Sequence, residues 1–415
     1  MSNLQPVRGT HDLLSEGRKR HRHVEDVAMA TSALYGFEEM ATPIFEFTDV
    51  FARTLGDTSD IVTKEMYTFE TKGGESITLR PEGTAGVARA FISNGLAQHA
   101  PIKAFYKGPM FRHERPQKGR QRQFHQIGVE LIGVEGPQAD IEVIALATHI
   151  LASLGLSASV TLELNSLGDI ESRAAFRSVL LDYFKVYESD LSDDSLGRLG
   201  KNPLRILDSK DEGDRKIIEG APDFADHLND ASKAFIDAVQ QGLSDLSIPY
   251  TRNVKLVRGL DYYCHTAFEF TTTSLGAQGT VLAGGRYDGL IKQMGGPSTP
   301  GVGWAAGIER LAMLSDVSLT KNRPISVVPV SSDLTRKAQT LVQDLRKTGL
   351  FIEFSFTGNM KKRLKRADKS NARAAVILGE DELKDGNVVL RDLDSGEQDI
   401  ISLSDVAQTL TSKYG

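Results

Sequence analysis

The sequence predicts an α+β protein in two parts, a β-rich domain with a helical insertion followed by a smaller α/β domain. Three observations lead there. Paired apolar segments of hairpin type fill much of the first 135 residues, and strand-like segments return after residue 250. Between them, residues 170–249 are polar and helical in pattern. After residue 324, short apolar runs alternate with helical segments, the order expected of a mainly parallel sheet. A chain of 415 residues has room for two or three domains, and the boundaries expected here are 1–322 and 323–415, with the insertion at about 170–250.

In chain order, Val24, Val27, Ala28, Thr31, Leu34 and Tyr35 recur at helical spacing and predict an amphipathic helix over 17–36. Pro43 interrupts the apolar stretch 40–47 and argues for an edge position or a bend. Tyr67 and Phe69, then Ile77 and Leu79, alternate on either side of Lys72-Gly-Gly74 and predict a hairpin. Residues 82–96 look helical. Residues 102–106 and 124–131 form a second strand pair around the polar loop 114–123. Beyond the insertion, strands are expected at 254–257, 265–270 and 280–283. In the tail, strands are expected at 325–330, 351–354 and 374–378, with helices at 334–347 and 361–369.

The formal charge is −6, whereas a protein that coats nucleic acid non-specifically is usually basic. Charge is uneven, however. Residues 321–415 hold 16 Lys/Arg against 13 Asp/Glu, so the tail is +3 and the remainder −9. Cys264 is the single cysteine, which rules out an intrachain disulfide, and no Cys/His set has zinc spacing. The basic stretch 18–23 is followed by Glu25 and Asp26 where a signal peptide needs an apolar run, and no apolar run reaches membrane-spanning length. The expectation is a soluble, cytoplasmic protein without a membrane partner.

The densest cationic segment is 103–123, with Lys103, Lys107, Arg112, Arg115, Lys118, Arg120 and Arg122 against Glu114 alone. A solvated hairpin tip and a phosphate-binding loop both fit it, since arginine forks suit phosphate oxygens. Arg112, at the end of the apolar run 104–111, fits the second better. Glycines cluster at Gly284-Gly-Arg-Tyr-Asp-Gly289 and Gly301-Val-Gly-Trp-Ala-Ala-Gly307. The second cluster is one residue too long for a dinucleotide fingerprint, and close backbone approach to a flat ligand is the expectation instead. No Walker-type Gly-Lys-Ser/Thr is present.

Together these segments resemble the class II aminoacyl-tRNA synthetases. Pro43 in its helix-then-strand setting looks like motif 1, the dimer element. Phe111-Arg-His-Glu-Arg115 with its loop looks like motif 2, and Gly303 through Gly307-Ile-Glu-Arg-Leu311 looks like motif 3. Within the class, Leu256-Val-Arg-Gly-Leu-Asp-Tyr-Tyr263 and Leu282-Ala-Gly-Gly-Arg-Tyr-Asp288 resemble the signature segments of the histidyl-tRNA synthetase family. Thr78-Leu-Arg-Pro-Glu-Gly-Thr84 and Gln126-x-Gly-x-Glu130 agree with them. Cys264 stands where a polar residue is more usual, and a packing role suits it better than nucleophilic chemistry.

The resemblance implies a class II catalytic core on an antiparallel sheet, an anticodon-binding tail, a homodimer, and the partners L-histidine, ATP and tRNA(His). Mg2+ is expected with ATP, and no tightly bound protein-liganded metal. Arg112 and Arg310 match the family's ATP arginines at the α- and γ-phosphates, with Glu114 in the same ATP set. Arg258 matches the arginine that this subclass places near the α-phosphate, where it would stabilise developing charge. Glu82 and Gln126 with Thr84 would accept from the histidine α-ammonium, Gly83 and Tyr262 complete that lining, and Glu130 and Tyr263 would bracket the imidazole. Arg115 and Gln117 would meet the acceptor end of tRNA. No catalytic histidine is nominated, because the substrate carboxylate is already ionised at pH 7; structural or nucleotide-contacting roles are assigned to His11, His113 and His125. The weaker alternatives are a regulatory paralogue, a ligase with a non-tRNA acceptor and a non-catalytic nucleic-acid scaffold.

Overall fold

The computed structural model describes residues 4–55, 61–117, 119–257, 262–276, 279–315 and 323–414. The chain divides into two compact units, Met1–Val317 and Ser318–Gly415. In the first, the short strands Glu38–Glu39 (β1), Phe45–Phe47 (β2), Tyr67–Glu70 (β3) and Ser76–Leu79 (β4) precede the long pair Ile102–Phe111 (β5) and Gln123–Ile132 (β6). Thr161–Ser166 (β7), Thr251–Arg252 (β8), Cys264–Thr271 (β9), Thr280–Arg286 (β10) and Gly301–Gly307 (β11) follow. Eight of them form one sheet in the order β1-β5-β6-β11-β10-β9-β7-β8. Pairing is antiparallel from β5 to β7, and parallel only at the margins, β1 with β5 and β7 with β8.

The sheet is apolar on both faces, and strand alternation sorts its residues between them. Phe105, Val129 and Leu131 join Val143, Ile144 and Ala147 of the helix Gln138–Ser153 in one core. Ala104, Tyr106 and Ile132 join Val87, Ala88 and Phe91 of the helix Thr84–Ser93 in another. The amphipathic helix expected near the N-terminus spans Ser15–Leu34 and buries Val24 and Ala28.

The insertion is helical, as expected, and its stops and starts have a local cause. The helices Ile170–Val186, Asp193–Leu199, Glu212–Glu219 and Asp230–Asp245 are N-capped by the side chains of Asp169, Ser192, Asp211 and Asn229, each satisfying amides that the first turn leaves free. Inside it, Asp214 accepts from the hydroxyls of Ser192, Ser195 and Ser209. Burial would push this carboxyl up, but those bonds hold it down at about 2.

Two expectations are corrected. Residues 254–257 are not a strand. The Asn253 side chain accepts from the Lys255 amide and Leu256 N–H donates to Asn253 O, so the chain turns there and β8 stops at Arg252. The tail sheet is mixed rather than mainly parallel. Its strands are Ile325–Pro329 (β12), Ile352–Phe354 (β13), Ala374–Leu378 (β14), Asn387–Asp392 (β15) and Gln398–Ser402 (β16), in the order β13-β12-β14-β15-β16. The first three are parallel, whereas β15 and β16 form an antiparallel hairpin. Asp392 builds its turn by accepting from the Asp394 and Ser395 amides. β7 and the glycine-rich strand β11 were also not foreseen.

Candidate active site

The central strands of the large sheet form the floor of a cavity of about 530 Å³. Its lining includes Glu82, Thr84, Arg112, Gln126, Tyr262 and Tyr263, and also Glu114, Arg120 and Arg310. Two glycines of the predicted clusters make room for the protein's own side chains rather than for a ligand. An added Cβ at Gly303 would lie 1.9 Å from Glu130 Oε2, and one at Gly285 would lie 2.8 Å from the Tyr263 ring. The space these glycines leave is filled by the protein's own side chains. Gly83 acts similarly, since a Cβ there would lie 2.2 Å from the Tyr106 ring.

One group of lining residues is cationic. Arg112 donates from Nε to Pro81 O at 2.9 Å, and its guanidinium lies over the Phe124 ring at 5.2 Å. Arg310 donates from Nε to Gly119 O at 3.1 Å and from Nη1 to Thr280 O at 2.5 Å. Glu114 is buried between two of these cations, ion-paired with Arg120 and 3.8 Å from Arg112 Nη1. Burial lowers the pKa of Arg310, and the neighbouring Arg120 and Arg112 lower it further. Three guanidiniums around one carboxylate leave an excess of positive charge that an anion would relieve. The loop is held in shape by Arg122, whose amide donates to Gly9 O at 2.8 Å and whose Nε donates to Glu114 O at 3.2 Å. Arg115 and Gln117 are exposed on it.

A second group offers acceptors. Glu82 accepts from the amides of Thr84 at 2.5 Å and Ala85 at 2.8 Å, at the start of the helix Thr84–Ser93. Burial nevertheless raises its pKa. Gln126 Oε1 is buried with no hydrogen-bond partner among the described residues, an unmet acceptor that a bound donor would satisfy. Tyr262 and Tyr263 pack against each other with centroids 4.6 Å apart.

Glu130 departs from expectation. It lies on the same face of β6 as Gln126, four residues on, but it is fully buried and is not part of the cavity lining. Its Oε1 accepts from the Thr84 hydroxyl at 2.7 Å, and its Oε2 bonds the Tyr287 hydroxyl at 2.5 Å. Burial, with Glu82 nearby, pushes its pKa up to about 8. In this arrangement Glu130 is a mostly protonated group behind the wall, not a carboxylate facing the cavity.

Arg258 lies outside the described residues, although Val257 and Tyr262 on either side both line the cavity. Lining residues missed by sequence reasoning include Glu163, Glu269, Lys210 and Lys255. Glu163 and Glu269 are direct cross-strand partners on β7 and β9. Thr271 donates to Glu163 and Thr280 to Glu269, at 2.9 and 2.8 Å. A glutamate alternating within an apolar strand was the available signal for Glu269. Lys210 comes from the insertion, which also supplies Arg173, whose Nη1 donates to Tyr263 O at 2.6 Å.

The histidines have structural surroundings. His125 donates its backbone amide to Glu309 at 3.0 Å and bonds it through Nδ1 at 2.9 Å. Burial would raise the Glu309 pKa, but these bonds hold it below the ordinary value. His113 is exposed with its ring edge-on to Tyr67, and His11 is exposed. Burial pushes the Cys264 thiol up to about 12, in keeping with a packing role. No helix among the described residues is long and apolar enough to cross a membrane.

Known proteins resemble this chain over nearly its whole length. The sequence profile described as histidyl-tRNA synthetase matches residues 9–182 and 191–311, and one described as an anticodon-binding domain matches 325–413. A histidine–tRNA ligase of Rhodospirillum rubrum is 62% identical over 97% of this chain and 98% of its own. One from Gluconobacter oxydans is 56% identical over 99% of each. The crystal structure of apo histidyl-tRNA synthetase from S. aureus superposes with a TM-score of 0.83, at 36% identity over 98% of this chain and 99% of that one. The chain belongs to the histidyl-tRNA synthetase family.

Proposed function

We propose that this chain activates L-histidine with ATP and then transfers it to tRNA. In the first step a histidine carboxylate oxygen attacks the α-phosphorus of ATP, the bond to the β-phosphate bridging oxygen breaks, and pyrophosphate leaves. In the second, the terminal ribose hydroxyl of tRNA attacks the acyl carbon and AMP leaves. The observation that carries this reading is one cavity lined both by the cations Arg112 and Arg310 and by the acceptors Glu82 and Gln126. Two anions that repel in water meet there among fixed positive charges.

In this scheme Arg112 holds the α-phosphate and Arg310 the γ-phosphate, while Glu114 orients Arg112 and Arg120. Glu82, Gln126 and Thr84 take the α-ammonium. Tyr262 and Tyr263 line the imidazole, and Arg258 acts beside the α-phosphate. Glu130 bears on specificity through Thr84 and Tyr287, which it positions. Mg2+ comes with ATP as part of that substrate, and the carboxylate oxygens of Glu163 and Glu269 are suited to meet it. Arg115 and Gln117, exposed on the cationic loop, are placed to meet the acceptor end of tRNA.

A homodimer is supported by the three-stranded sheet β2-β4-β3. Phe47, Ile77 and Phe69 form one cross-strand row, and Phe47 is 58% and Phe69 46% exposed. Aromatic side chains grouped in solvent are the mark of a surface that another chain covers. A cytoplasmic location fits this chemistry, since charged tRNA is consumed there.

The test is histidine-dependent exchange of pyrophosphate into ATP, followed by charging of tRNA(His). Exchange with histidine alone among the amino acids, and charging thereafter, is the expected result. Exchange without charging would make the chain an activating enzyme for another acceptor.

A further inference from the structure

A donor set of metal-ligand type forms where three elements of the first unit meet. His21 is on the helix Ser15–Leu34, His125 is on β6, and Glu309 is in the first turn of the helix Ile308–Leu314. Each offers one ligand atom, and these atoms all lie within 4.8 Å of one another. Two imidazoles with a carboxylate are a donor set that suits zinc. No zinc spacing shows in the sequence because the three residues come from far-apart segments.

Two of the three are already held in place. Each oxygen of Glu309 accepts from the His125 amide at 3.0 Å, and Oε1 also bonds His125 Nδ1 at 2.9 Å. The backbone thus orients the carboxylate independently of the His125 ring. His21 differs. It is 5% exposed, and its Nδ1 is buried with no hydrogen-bond partner among the described residues. A buried ring nitrogen without a partner is uncommon and calls for one. The His21 ring stands edge-on to His125, with centroids 5.6 Å apart at 83°. Burial lowers its pKa, which favours the neutral ring that ligates metals. Bonds of about 2.0–2.2 Å set the ligand atoms of a tetrahedral ion about 3.4 Å apart, so side-chain shifts of about 1 Å close the set. We infer that His21, His125 and Glu309 bind one divalent cation of the zinc type, with the fourth position left to water. Arg310 follows Glu309 in sequence, so the ion ties the N-terminal helix to the start of the helix that carries Arg310. The inference stands apart from the tRNA-charging reading, and it departs from the expectation that no metal is held by the protein.

The test strips the full chain with a chelator and titrates it with Zn2+ alone by calorimetry. Co2+ replaces Zn2+ for visible spectroscopy. The wild-type chain should take up one equivalent, and its Co2+ form should show the visible bands of a four-coordinate site. His21→Gln and Glu309→Gln should each weaken Zn2+ by more than the about 10–100-fold that the loss of an outer-shell partner costs. His11→Gln, at an exposed histidine outside the cluster, should bind as wild type does. Circular dichroism of the metal-free variants shows that they fold, and should His21→Gln fail to do so, Glu309→Gln carries the comparison. Absence of a saturable equivalent in the wild-type chain overturns the inference. So does binding that survives unchanged in both variants, or that His11→Gln weakens equally.

Discussion

Arg286 and Asp140 form an ion pair with neither side chain exposed to solvent, Nη2 lying 2.5 Å from Oδ2. The guanidinium also donates to Val134 O, Gly136 O and Asp288 Oδ1, at 3.0, 3.1 and 3.0 Å. One arginine of the second signature segment thus ties β10 to the start of the helix Gln138–Ser153. Its position in a family motif reflects this architecture rather than contact with substrate.

Arg286→Met should therefore cost about 3–5 kcal/mol of stability, because it leaves Asp140 buried without its partner. Pairing it with Asp140→Asn should recover part of that loss. Denaturant midpoints of the three proteins measure it, and a loss below about 1 kcal/mol for Arg286→Met would contradict the assignment.

The elevated pKa of Glu130, about 8, gives stability a definite pH dependence. An exposed glutamate titrates near 4.3, so between about 4.3 and 8 the folded chain retains a proton that the unfolded chain has released. The stabilising effect is complete below that window and fades as pH rises through it, with a limiting slope of about 1.4 kcal/mol per pH unit. Glu130→Gln removes the titration. Relative to wild type, its stability should improve between pH 6 and pH 9; a constant difference would show that Glu130 is ionised throughout.

Arg258 is proposed to serve chemistry more than binding. Arg258→Ala should slow adenylate formation by about 10² or more with little change in ATP affinity. Arg258→Lys should rescue poorly, because an ammonium lacks the planar fork. Single-turnover kinetics decide the matter, and an unaltered rate refutes the role.

The Phe47–Ile77–Phe69 row predicts the assembly state. Phe47→Glu should convert a dimer into monomers at micromolar concentration, as read by sedimentation equilibrium. A charged residue at the centre of an apolar interface is left desolvated and unpaired. If the variant sediments as wild type does, this face is not the interface.

Much of the site was legible because its chemistry is local in sequence. Arg112, Glu82, Gln126 and Arg310 sit in short motifs, and the structure brings all four to one cavity. Glu130 shows the limit of such reading. A period of two gives the face of a strand, but not the layer that Tyr287 and Thr84 place over it. Lys210 and Glu163 were invisible for a related reason, since they reach the cavity through long-range packing that no local pattern announces. In the fold, the helices were read from apolar spacing. The misplaced strand at 254–257 yielded to one Asx turn at Asn253, and the hairpin β15–β16 was hidden in a polar sequence.

The grip of Arg173 on the Tyr263 carbonyl has a thermodynamic corollary. Two parts of the insertion bear on the cavity: Arg173, on the helix Ile170–Val186, bonds the lining residue Tyr263, and Lys210, in the loop before Glu212–Glu219, lines the cavity itself. Whatever steadies the insertion must steady Tyr263, and occupancy beside Tyr263 must in turn steady the insertion by the same free energy. If histidine binds beside Tyr263 as proposed, it should slow amide hydrogen exchange in the helix Ile170–Val186, coupling the helical insertion to the cavity.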